Sequence, residues 1–198
     1  MIKFAIVGNI ASGKSEMEAI LDKENIVVLD TDIMAHDILI DKPDVSVAFS
    51  EYDVFEHGKL SKSKLSKLVF DNPELKEKLE KIMHPLIMQE IELAFKTFAN
   101  EKYLFISVPL LFEVGWEKLF DKIVFIKTDD EIRLNRLMER NNYSKEDALK
   151  RINSQKPQEE KISKVEKDEQ DNNEEKIDNT SNNEIDQKVE NKKQQDTL

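Results

Sequence analysis

The sequence predicts an α/β chain, with a parallel sheet whose strands alternate with helices and a polar tail at the C-terminal end. Three observations predict it. Four short apolar runs lack polar alternation, as strands covered on both faces do. Helical patterns with legible ends lie between them. The octapeptide Gly8 to Ser15, GNIASGKS, follows the first apolar run and holds two of the four glycines in 198 residues.

In chain order, strands are expected near residues 2–7, 26–29, 103–108 and 123–126, where the runs FAIV, IVVL, YLFISV and IVFI fall. The first helix follows the octapeptide. Ser61 precedes Leu65, Leu68 and Val69 at helical spacing. Asn72-Pro73 opens a helix that buries Leu75, Leu79, Ile82 and Met83. His84 reads as the start of the next, along which Ile87, Ile91, Ala94, Phe95 and Phe98 repeat. Thr128-Asp129-Asp130-Glu131 predicts a capping box, with Thr128 and Glu131 satisfying each other's backbone donors; Ser144 and Asp147 form a weaker version. Past Lys156 the chain turns polar and acidic, with too few aliphatic residues to offset the entropy of ordering. The expected division is therefore a domain over residues 1–156, then a mobile or marginally helical tail over 157–198.

Composition narrows the function. A formal charge of −11 argues against nucleic acid or an anionic membrane as partner, so a phosphate-bearing ligand needs a locally positive pocket. With no cysteine, disulfide, thiolate and zinc-ribbon chemistry are excluded. No apolar run reaches signal-peptide or membrane-span form, so the expectation is a cytoplasmic protein, a monomer or weak homo-oligomer.

Gly8, Asn9, Ile10, Ala11, Ser12, Gly13, Lys14 and Ser15 match GxxxxGK[ST], the phosphate-binding P-loop, with the strand before and helix after that the mechanism needs. Its glycines let successive N–H groups surround phosphate oxygens, and the helix N-terminus adds positive charge. Lys14 would reach the β- and γ-phosphates of ATP, and the Ser15 hydroxyl would ligate Mg2+. The bland alternative is a glycine-containing turn with a solvated lysine. The motif makes the expected architecture a three-layer P-loop NTPase fold.

Two charged groups and one absence bear on the reaction. Asp30 and Asp32 close the second apolar run, at the strand end that faces the ligand crevice in a parallel sheet. One could hold magnesium and the other accept a proton from an attacking hydroxyl; the alternative makes Asp32 merely a helix N-cap, and one aspartate can do both jobs. The arginines of the chain are Arg133, Arg136, Arg140 and Arg151, and the first three share a helical face suited to gripping phosphate. The alternative is a solvated face paired with Glu131 and Glu139. No [NT]KxD segment that would read guanine is present. Small-molecule kinases remain.

Here the sequence resembles the dephospho-CoA kinase family, over about residues 1 to 156. The likeness rests on GNIASGKS, on LDTDIMAHDIL (Leu29 to Leu39), on GKLSKSKLSKLVFDNPELKEKLEKIMHP (Gly58 to Pro85), on VPLLFE (Val108 to Glu113) and on RLMERNNYSKEDALKRINSQ (Arg136 to Gln155). The resemblance implies transfer of the ATP γ-phosphoryl group to the 3′-hydroxyl of dephospho-CoA, with Mg2+. It implies Asp32 as catalytic aspartate beside Lys14, Arg140 as lid arginine with Arg136 near ATP, and Ser15 and Asp30 toward the metal. It implies a substrate side of Asp32, His36, Lys62, His84, Pro109 and Glu113, within helices over about 33–100 and after the third strand, and a lid over about 129–155. Lys62 stands where relatives usually carry arginine. The family's closing Ile-x-Asn turn has its counterpart in Ile177-Asp178-Asn179-Thr180. The competing readings are another P-loop kinase, for a nucleoside monophosphate or shikimate, and a non-catalytic nucleotide-binding protein whose acidic tail recruits a partner.

Overall fold

A computed structural model describes residues 1–166; residues 167–198, with the Ile177 to Thr180 segment, lie outside the described residues. The fold is α/β with a parallel sheet, as the sequence predicts. The elements run β1 (Ile2–Val7), α1 (Lys14–Lys23), β2 (Val27–Asp30), α2 (Thr31–Asp41), α3 (Pro43–Ala48), β3 (Phe55–Glu56) and β4 (Lys59–Leu60). They continue with α4 (Lys62–Phe70), α5 (Pro73–Thr97), β5 (Tyr103–Ser107), α6 (Leu111–Val114), β6 (Lys122–Phe125), α7 (Asp130–Asn141) and α8 (Lys145–Asn153). Residues 158–166 are again helical. The described chain divides into two compact units, one of Met1–Val7 with Gly13–Val124, the other of Gly8–Ser12 with residues 125–166.

In the first unit the sheet order is β2-β5-β1-β6. β5 pairs in parallel with both β1 and β2, so that Ile6, Ser107 and Asp30 fall level with one another. The C-terminal ends of three strands thus share one edge, and the chain leaves that edge into the octapeptide, into α2 and into the segment starting at Val108. Ala5, Ile6, Val7, Leu104 and Ile106 are fully buried, which explains the unbroken apolar runs. Helix α5 packs against α2, α3 and α4. Asn72 caps it by accepting from Glu74 N and Leu75 N, both at 3.2 Å.

His84 is not a helix start. It lies with Pro85 inside the single 25-residue helix α5. The proline ring forfeits one backbone bond, and the buried stripe Met83, Ile87, Ile91 and Ala94 keeps the helix continuous. The short hairpin of β3 and β4 had no sequence expectation; Gly58, at φ +77°, makes its turn.

In the second unit, Leu137, Ala148 and Ile152 form a core against which Ile10, Ala11, Leu134, Met138 and Tyr143 pack. Ser144 caps α8, accepting from Asp147 N at 3.1 Å and donating to its carboxylate at 2.7 Å. The capping box at Thr128 does not form: Asp129 is the N-cap of α7 and its side chain makes no capping bond. Thr128 instead donates its hydroxyl to Ser12 O and its N–H to Gln158 Oε1, so distant partners displace the local one. Packing also continues beyond the composition boundary at residue 156, for Gln158 and Lys161 are buried. Among the described residues no helix is long and apolar enough to cross a membrane.

Candidate active site

The octapeptide begins where β1 ends. Gly8 is there for space: a Cβ on it would lie 2.5 Å from Ser12 Oγ and 3.0 Å from Ile126 O. Ala11 (φ 60°) and Gly13 (φ 102°) take left-handed backbone, which curls the loop. Ser12 N donates back to Asn9 O at 3.0 Å. Three successive carbonyls are then held by side chains. Arg133 Nε donates to Ile10 O at 3.0 Å, Arg136 NH1 to Ala11 O at 3.2 Å, and Thr128 Oγ1 to Ser12 O at 2.7 Å. From the other direction Gln155 Oε1 accepts from Ile10 N at 2.7 Å, and Lys156 O accepts from Asn9 Nδ2 at 2.9 Å. Lys14 and Ser15 open helix α1, whose N-cap is Gly13.

Asp30, and not Asp32, is the N-cap of α2: its Oδ1 accepts from Asp32 N at 2.6 Å. The Thr31 hydroxyl donates to Ser107 O at 2.9 Å and ties the helix start to β5. Asp32 stays accessible to solvent, yet desolvation holds its carboxyl above the usual carboxylate range, and the neighbouring Asp30 charge pushes the same way. The ammonium groups of Lys14 and Lys62 oppose both. The structure therefore brings Asp32, Asp30, Lys14 and Lys62 into one electrostatic neighbourhood. Two carboxylates that repel each other, with the Ser15 hydroxyl on the adjoining helix, are a hard-oxygen donor set that suits Mg2+. Among the described residues no group of three or more His, Cys, Asp or Glu side chains that could hold a metal ion occurs.

Of the residues expected on the acceptor side, Lys62 is the first residue of α4, where Ser61 is the N-cap. His36 is exposed one turn beyond Asp32 on α2. His84 is half-buried and meets Trp116 edge-on, with ring centroids 5.7 Å apart. Pro109 follows β5, and Glu113 is exposed on α6.

The arginines of α7 are not one solvated face. Arg133 is 2 % exposed and joins the loop carbonyl to Asp130. Arg136 also reaches the loop backbone, whereas Arg140 is exposed and donates to Asn141 Oδ1 at 3.0 Å. Sequence reasoning missed Thr128, Arg133, Gln155 and Gln158 as supports of the loop. Each acts across more than a hundred residues or through a partner that does, and no local spacing signals such a bond.

A family model described as dephospho-CoA kinase matches residues 2–178. A Listeria innocua dephospho-CoA kinase is 38% identical over 168 residues, covering 81% of this chain and 83% of the relative. One from Carboxydothermus hydrogenoformans is 36% identical over 163 residues, 79% of each chain. The solved structure of the dephospho-CoA kinase from Campylobacter jejuni matches with TM-score 0.63 and 32% identity over 82% of this chain and 84% of that one. A Thermus thermophilus crystal structure matches with TM-score 0.72 and 34% identity over 83% and 85%. With GNIASGKS running from the end of β1 into α1 and kinship along most of its length, this chain belongs to the dephospho-CoA kinase family.

Proposed function

We propose that the chain catalyses ATP-dependent phosphorylation of dephospho-CoA, at the ribose 3′-hydroxyl, yielding coenzyme A and ADP. The observation that carries this reading is Asp32, a carboxyl with raised proton affinity beside two lysine ammonium groups at the strand edge where the phosphate loop begins. Lys14 and the loop amides hold the triphosphate. Asp32 orients the acceptor hydroxyl and takes its proton as the oxygen bonds to the γ-phosphorus, while the bond to the bridging oxygen breaks and ADP leaves. Burial and the Asp30 charge together hold the Asp32 pKa above the usual value, and against them the Lys14 and Lys62 ammonium groups favour its ionised form. His36, His84, Pro109 and Glu113 contribute to acceptor binding, and Arg136 and Arg140 contribute positive charge to the nucleotide phosphates. Ser15 and Asp30 would hold Mg2+, which supplies neutralisation of phosphate charge when bound. We place the reaction in the cytoplasm, with the chain acting there as a monomer or weak homo-oligomer.

The test couples ADP release to NADH oxidation while dephospho-CoA, nucleoside monophosphates and shikimate are offered in turn with Mg·ATP. Turnover with dephospho-CoA alone is expected. ADP formation with another acceptor, or ATP binding without turnover on any of them, refutes the assignment.

A further inference from the structure

Within the second unit, the carbonyls of Ile10, Ala11 and Ser12 are each held by a side chain from residues 128–136. A trans peptide is planar, so fixing the carbonyl of one residue fixes the N–H of the next in the opposite direction. The Ser12 N–H is spent within the loop on Asn9 O. The Ser12–Gly13 peptide is different. Its carbonyl is tied to Thr128 Oγ1 at 2.7 Å, a short hydroxyl bond, and its N–H belongs to the second glycine of the motif.

Thr128 is itself held on both sides. Gln158, 5 % exposed, accepts from Thr128 N at 3.1 Å through Oε1 and donates from Nε2 to Thr128 O at 2.8 Å and to Asp130 Oδ1 at 3.1 Å. A buried amide with its acceptor and both donor directions in use fixes the main chain it grips. Glutamate could not replace it, since a carboxylate would face the Thr128 carbonyl and the Asp130 carboxylate without a proton to donate.

We infer that Thr128 is a positioning residue for ATP: its hydroxyl sets the Ser12–Gly13 peptide so that the Gly13 N–H is presented to the triphosphate, and Gln158 holds Thr128 in the orientation that permits this. The inference rests on Gly8 to Ser15 being the ATP loop. It needs no particular acceptor.

The test compares Thr128→Val, which removes the hydroxyl at nearly constant shape, with Thr128→Ser, which keeps it. Affinity for Mg·ATP is read by titration calorimetry, and the KM for dephospho-CoA by the coupled assay. Thr128→Val is expected to weaken Mg·ATP roughly five- to tenfold, the scale of one neutral hydrogen bond, with the acceptor KM unchanged. Thr128→Ser is expected to restore binding. Gln158→Glu, which leaves the hydroxyl in place but undoes its support, is expected to weaken Mg·ATP in the same direction, and it carries the test if Thr128→Val does not fold. Wild-type affinity for Mg·ATP in either folded variant, an equal rise in acceptor KM, or failure of serine to restore binding overturns the inference. If the wild type binds Mg·ATP yet leaves dephospho-CoA unphosphorylated, the acceptor assignment falls and the calorimetric comparison still decides the part played by Thr128.

Discussion

One methyl group added at Gly8 tests how tightly the phosphate loop is packed. Gly8 is absent from the glycines with positive φ, so its backbone accepts an alanine and the whole penalty is steric. The new Cβ would sit 2.5 Å from Ser12 Oγ, 3.0 Å from Ile126 O and 3.2 Å from Ile126 Cβ. The serine hydroxyl could swing only within a buried site, since Ser12 is 3 % exposed. The Ile126 atoms are main chain and branch point, and they move only with the backbone. Overpacking of this kind costs about 1–3 kcal/mol. For a chain of this length that lowers Tm by roughly 2–12 °C. The strain relaxes by shifting residues 9–12, so the loop amides are misdirected and Mg·ATP affinity should fall by about tenfold or more. Thermal unfolding by circular dichroism and calorimetric ATP titration read the two effects. Gly115→Ala is the control: at φ +73° with nothing within 4 Å of an added Cβ, it meets only backbone strain. It should lose roughly 1–2 kcal/mol of stability and leave ATP affinity alone. Wild-type Tm and ATP affinity in Gly8→Ala would refute the claim of close approach.

Asp32→Asn should reduce kcat by about a hundredfold or more while the protein stays folded, measured in the coupled assay. Its folded-state pKa lies above the unfolded one, so the folded chain holds that proton more tightly; the stability linked to Asp32 is present below the unfolded pKa and is lost as pH rises through the folded pKa. Asp32→Asn should therefore be more stable than wild type at neutral pH, with the difference closing in acid, as urea midpoints across pH would record. Lys62→Met removes a charge that lowers the Asp32 pKa, so the acid limb of the kcat/KM profile should move to higher pH; an unmoved limb would separate Lys62 from the base. Pro85→Ala restores a missing backbone donor inside α5 and should raise stability by roughly 1–3 kcal/mol in urea titration.

The strands and the phosphate loop were legible in the sequence because each is written locally. A short apolar run without alternation, bounded by turn signals, fits a strand covered on both faces, and the spacing of GNIASGKS is recognisable within eight residues, although the crowding that requires Gly8 also involves Ile126. The pairing of Asp30 with Asp32 was legible for the same reason, although which of them caps α2 was decided by backbone geometry. What escaped notice is held by distance. Thr128 looked like a helix cap because its neighbours fit that template, and only Ser12 and Gln158, each far away in the chain, claim its polar atoms. Gln158 and Lys161 looked like tail because burial was judged from aliphatic content, whereas here polar side chains are buried. His84-Pro85 looked like a boundary because proline usually marks one, and the apolar stripe of α5 overrides it.

The partners of Asn9, Ile10, Ala11 and Ser12 stand 116 to 147 residues later in the chain. During translation the loop therefore leaves the ribosome well before the residues that hold its carbonyls and amides. A nascent chain stalled before Gln155 would expose a correctly spelled motif with part of its scaffolding still unsynthesised, so the loop can reach its finished form only once residues 128–156 have followed it out.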